Sequence, residues 1–115
     1  MKIPHPSESA KEFFKSVLPE DSRVTLKPMF GNLAGFVNGN LFSGLYGDDM
    51  FVRLSGENRE DLLKVRGTSI FEPMKGRQMK EYVILPKSWI GQREMVRAWV
   101  TRSLESVSKL PKKKK

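Results

Sequence analysis

Residues 33–54, LAGFVNGNLFSGLYGDDMFVRL, hold three short apolar runs parted by two turn signals, and their reading decides the fold. LAGFV (33–37) and LFSGLY (41–46) flank Asn38-Gly39, a pair that tolerates positive φ at both central positions and so specifies a two-residue hairpin. GDD (47–49) makes the next turn, into MFVRL (50–54). The three runs are therefore consecutive antiparallel strands. Immediately upstream, RVTLKPMF (23–30) is rich in strand formers but carries Pro28, which lacks a ladder donor, so it is predicted to be either an edge strand or a strand that ends early near Pro28.

The stretch KPMFGN (27–32) is read as a bend in a core. Met29 and Phe30 are large enough to anchor the sheet to a helix, and Gly31 permits the backbone turn back into LAGFV. The competing reading places Met29 and Phe30 in an exposed apolar groove for a partner, a use to which adaptable methionine suits itself.

Outward from this meander the period changes. In SESAKEFFKSVLP (7–19), Ala10, Phe13, Phe14, Val17 and Leu18 recur at helical spacing, with Ser9 and Glu12 in capping-box register and Pro19 as the stop. GENREDLLKV (56–65) reads as a short helix, acidic in its first turns and ended before Gly67. A loop containing Pro73 and Gly76 follows, then KEYVILP (80–86), whose unbroken apolar centre predicts a central strand. From Gln92 to Lys109, Val96, Trp99, Val100, Leu104 and Val107 mark a long amphipathic helix. On it Arg93 and Arg97 stand one turn apart, with Glu94 placed to pair with Arg97. The order is α-β-β-β-β-α-β-α, an α+β fold with helices flanking an antiparallel meander. Residues 1–110 are predicted to form one domain and 111–115 a disordered basic tail, since 115 residues leave no room for a second folded domain.

Composition narrows function. Cysteine is absent, which excludes disulfides and thiolate chemistry, no apolar run is long enough to span a bilayer, and MKIPHPSESAKE lacks the apolar middle of a secretory signal. These features predict a soluble, cytoplasmic protein with no membrane partner. Charge is unevenly placed: residues 1–61 hold seven Lys and Arg against nine Asp and Glu, whereas residues 62–115 hold fourteen against four. A second half this basic predicts an anionic partner, whether nucleic acid, phosphate or an acidic protein, without choosing among them.

Chemistry-bearing constellations are few. His5 lies between two prolines without a visible partner, Asp48 and Asp49 suit a turn better than acid-base work, and Gly31, Gly35 and Gly39 lack phosphate-loop spacing. No catalytic residue, metal site or cofactor is predicted. The binding candidates are Lys27, Met29, Phe30 and Arg53 on or beside the strands, and Lys75, Arg77 and Lys80 around Gly76. Lys109, Lys112, Lys113, Lys114 and Lys115 form a basic block suited to weak, sequence-independent contact with nucleic acid.

KPMFGN, GFVNGNLFSGLYGDDMFVRL (35–54) and FEPMKGRQMKEYVILP (71–86), followed by a helix bearing Trp99, resemble the N-terminal domain of the TfoX/Sxy proteins over residues 8–107. That pattern has a basic residue before Met-Phe-Gly and a glycine hairpin turn; Lys27 stands where the family often has Arg, and Arg53 where it often has Lys. The resemblance implies a curved antiparallel sheet with flanking helices of the secretion-chaperone kind, frequent dimerisation, and a link to regulation of competence genes. Full-length members carry a further C-terminal helical domain, thought to contact nucleic acid. The expectation is a small non-enzymatic interaction module of regulatory role, a homodimer with an unidentified protein partner; the alternative is a nonspecific nucleic-acid binder.

Overall fold

The computed structural model describes residues 5–29 and 31–111, with the backbone alone at Pro73 and Met74. Phe30 and the lysines at 112–115 lie outside the described residues. The fold is α+β. Helix α1 (Glu8–Val17) leads into four strands, β1 (Val24–Met29), β2 (Asn32–Val37), β3 (Asn40–Tyr46) and β4 (Asp49–Arg53). Helix α2 (Gly56–Leu63) follows, then β5 (Ser69–Met74) and β6 (Arg77–Ile84), a 3-10 turn at Lys87–Trp89, and α3 (Arg93–Ser108). All strand pairs are antiparallel, in the spatial order β1-β2-β3-β4-β6-β5.

The sheet has one strand more than the sequence predicts. Residues 69–74, read as a loop because of Pro73 and Gly76, pair with β6, and the loop shrinks to Lys75-Gly76. Proline misled here because β5 is an edge strand, where a missing donor costs the ladder nothing. The other edge, β1, also carries a proline, and it does not end the strand: Pro28 stays in register with Leu33, and the ladder closes one residue later at Met29↔Asn32.

The turns follow the glycine signals. Asn38 and Gly39 take φ values of 53° and 80°, as a tight hairpin between Val37 and Asn40 requires. In the β3–β4 turn Gly47 takes φ 63°, and its N–H donates to the side-chain oxygen of Asn32 at 2.9 Å.

One face of the sheet is covered by helices. Phe14 and Val17 of α1 and Val96, Val100, Leu104 and Val107 of α3 pack on Val37, Phe42, Leu45, Met50, Val52 and Val83. The α1 cap is Ser7, not Ser9: the Ser7 hydroxyl accepts from the Ala10 N–H at 3.2 Å, so the helix opens two residues earlier than the capping-box spacing suggests. At the other end of α1, Arg97 donates to the Ser16 carbonyl and Arg93 to the Ser16 hydroxyl. The expected Glu94–Arg97 pair gives way to this link, because a guanidinium near a helix C-terminus meets both an orphan carbonyl and the negative end of the dipole.

Between β2 and β3 the register slips, since Gly35 pairs with Ser43 while Phe36 pairs with Leu41. The extra residue, Phe42, turns its ring into the helix-side core. Buried Ser103 of α3 then meets the freed backbone: its Oγ accepts from the Arg53 N–H at 3.1 Å and lies within donating reach of the Phe42 and Arg53 carbonyls.

Candidate binding face

Among the described residues no helix lies on the opposite face of the sheet, yet that face is also apolar. Alternate residues of a strand point to opposite faces, so the adjacent apolar residues of Met50-Phe51-Val52 and Leu45-Tyr46 must serve both. Met50, Val52 and Leu45 enter the helix-side core; Phe51 and Tyr46 enter a second cluster with Phe71 and Tyr82. Phe51 stacks on Phe71 with centroids 4.6 Å apart and planes 12° apart, while Tyr82 meets Phe51 edge-on at 5.6 Å and Tyr46 meets Phe71 edge-on at 5.3 Å. The stack has room because the strand beside Phe51 carries Gly44: a Cβ there would stand 2.8 Å from the Phe51 ring.

Phe71 belongs to β5 and Phe51 to β4, although β6 lies between these strands. They meet because the β5–β6 register breaks: Ile70 pairs with Val83 but the next residue, Phe71, pairs with Met79. Residues 80–82 are thus surplus on β6, and the bulge bends the hairpin over the helix-free face. An apolar cavity of about 140 Å³ results, lined by Met29 from one edge of the sheet, Asn32, Leu41 and Tyr46 from its middle, and Phe71 and Met79 from the bent hairpin.

The structure therefore corrects one expectation for Met29. It does not anchor the sheet to a helix; it packs against the Phe51–Phe71–Tyr82 cluster on the other face, as its register with Asn32 requires. Phe30 lies outside the described residues. Lys27, two residues before Met29 on the same face, is exposed, with Nζ 5.8 Å from the Phe36 centroid. Arg53 pairs with Glu81 (Nη2 to Oε2, 2.6 Å) and sits 5.6 Å from the Tyr82 ring centre. Exposed Lys80 lines a shallow hollow with Arg53, Met79, Glu81 and Tyr82. Lys75 and Arg77 flank Gly76 at the exposed hairpin tip. Lys75, Arg77 and Lys80 thus lie on the bent hairpin and Met29 on its cavity wall, with Arg53 at the hollow next to it and Lys27 farther along β1 on the same face as Met29. Lys109 is elsewhere, at the C-cap of α3. Sequence reading missed Leu41, Tyr46, Phe51, Phe71, Met79 and Tyr82; apolar residues at both strand parities, with helices enough for only one face, were the signal.

Electrostatics of this face centre on Tyr82. Burial pushes its hydroxyl above the ordinary tyrosine value, aided by the Glu81 carboxylate and opposed by the Arg53 guanidinium. The residues weighed for catalysis are engaged locally: the Asp48 carboxylate accepts from the Ser7 N–H at 2.8 Å, and exposed His5 places Nδ1 3.4 Å from the Gly31 carbonyl. Among the described residues no three His, Asp or Glu side chains gather as a metal would need, and no helix is long and apolar enough to cross a membrane.

Comparison with protein families gives a match. The family model of the TfoX N-terminal domain covers residues 16–107 of the 115. No curated protein and no solved structure matches the chain.

Proposed function

The chain belongs to the TfoX N-terminal domain family, and from that premise we propose that it is a non-enzymatic interaction module of a cytoplasmic regulatory assembly, acting as a homodimer and presenting its helix-free sheet face to a protein partner. One observation carries the reading: an apolar cavity, ringed by methionine and aromatic side chains, opens on the face that the helices leave uncovered. Apolar surface that a fold does not use to cover itself is a usual mark of a docking site. Two lining methionines suit the role, since an unbranched thioether reshapes itself to a guest at little cost.

The test is photo-crosslinking in cells. A photoreactive phenylalanine analogue at Leu41 or Met79 is expected to give discrete protein adducts, and the same analogue at Glu12 on α1 is not. Equal labelling at all three positions, or none at any, would defeat the reading. For the homodimer, light scattering at micromolar concentration is expected to give twice the 13.2 kDa chain mass; the single-chain mass throughout that range would rule it out.

A further inference from the structure

We propose that the cavity on the helix-free face takes a single apolar side chain, of the size of Leu, Met or Phe, projecting from an acidic segment of the partner protein. This rests on the interaction-module reading and names the chemistry of what the module binds.

Size sets the anchor. A cavity near 140 Å³ is about the size of one known to hold a benzene-sized apolar guest, so it suits one side chain rather than the whole face of a helix. Exposed Met79 at its rim can move to admit or clamp that guest.

Charge sets the flanks. Of the four ion pairs among the described residues, one joins Arg53 to Glu81, and none involves Lys27, Lys75, Arg77 or Lys80. Lys27 lies on this face of β1, Lys80 lines the hollow beside Met79, and Lys75 and Arg77 flank the hairpin tip. Four acidic residues stand nearby, and three are already engaged: Glu81 pairs with Arg53, Asp48 accepts from the Ser7 N–H at 2.8 Å, and Glu72 accepts from the Gly76 N–H at 2.8 Å and from the Gln78 amide, which leaves Asp49, opposite Tyr46. Four unpaired cations against the one remaining carboxylate leave an excess to meet charge from outside, and such complementarity fixes the register of a partner more than its affinity.

The same features disfavour other occupants. Nucleic acid bound on a sheet needs exposed rings on which bases stack, whereas Phe51 and Phe71 are 1% and 3% exposed and stacked on each other. A second copy facing this surface would bring the same four cations against themselves.

The experiment is selection from a displayed library of random dodecapeptides on the whole chain, followed by titration of the recovered peptides into protein carrying 13C-methyl methionine. The expected result is recovery of peptides with Asp and Glu around one Leu, Met or Phe, which shift the Met29 and Met79 methyl signals. Replacing the apolar residue of a peptide by Ala, or making Leu41→Gln with Met79→Gln in the protein, is expected to weaken binding about tenfold or more. Lys27→Glu with Lys80→Glu is expected to abolish the acidic preference while keeping the apolar one. Recovered peptides without acidic excess, or binding indifferent to the Leu41 and Met79 changes, would overturn the inference, as would recovery of no peptide. So would a short DNA duplex shifting the two methyl signals when no peptide does. Cellular adducts at Leu41 or Met79 combined with neutral or basic selected peptides would keep the module and discard the acidic partner, whereas absent adducts with nothing selected would remove both.

Discussion

At Phe42 the β3 backbone carries one residue too many for its pairing with β2, and the carbonyl freed there turns to Ser103 on α3. Ser103→Ala would leave the Arg53 N–H and a buried carbonyl without their partner, a loss of about 1–3 kcal/mol that urea unfolding would register. Gly44→Ala is expected to cost about as much for the opposite reason, since the added Cβ collides with the Phe51 ring and must displace the stack it forms with Phe71. Tyr82 adds a pH dependence whose sign can be worked out. Its hydroxyl holds its proton more tightly when folded, so the associated stability is present below the ordinary tyrosine value of 10.0 and is lost as pH rises through the raised folded value. Urea unfolding on either side of that value is expected to show alkaline destabilisation in the wild type, and a smaller effect in Tyr82→Phe. None of these three roles is written in local sequence. Ser103 was missed because a hydroxyl in mid-helix gains meaning from a bulge on another element, and Tyr82 because its surroundings come from strands brought together by a crossover.

Among the elements, the edge strands repay comparison. In the β1–β2 hairpin, Met29↔Asn32 closes the ladder, so Met29, Lys27 and Thr25 turn their N–H groups toward β2, and positions 24, 26 and 28 turn outward. The Val24 N–H is bonded to the Asp21 carbonyl at 3.0 Å, and Pro28 has none to offer. The edge is thereby blunted against pairing with another chain. Pro28→Val would restore an outward donor, and increased self-association on light scattering, at little change in unfolding midpoint, is the expected outcome. Sequence made the meander plain, because Asn38-Gly39 and Gly47 announce turns locally and the runs between them alternate clearly. It made β5 obscure, because proline signals a break everywhere except at an edge, and edge status is a property of the assembled sheet. The binding face was half legible: Lys27, Met29, Arg53, Lys75, Arg77 and Lys80 could be picked out as charge and methionine beside turns. That they share a neighbourhood depends on a three-residue surplus at 80–82, which no periodicity displays.

For the whole molecule, charge is the property that sequence states completely and geometry then divides. The +10 half of the chain, residues 62–115, contributes the hairpin cations, those of α3 and the closing lysines, of which Lys112, Lys113, Lys114 and Lys115 lie outside the described residues. Should the closing lysines carry contact with duplex DNA, four phosphates at about −0.9 each bound their share of the salt slope near −3.6. A chain ending at Leu110 is then expected to lose that much slope and most of its DNA affinity, while peptide binding at the helix-free face stays unchanged; salt titrations of both chains would decide it. The two ends of the described chain are also tied to opposite ends of one strand. Ser7 donates its N–H to Asp48, just past the last residue of β3, and the Pro111 carbonyl accepts from the side chain of Asn40, the first residue of β3. Met29, Asn32 and Tyr46, on the cavity wall, belong to the Asp48 end. Leu41, also on the wall, follows Asn40, so both ends of β3 contribute to the cavity and a reporter joined before Ser7 or after Pro111 would leave the chain near one of them.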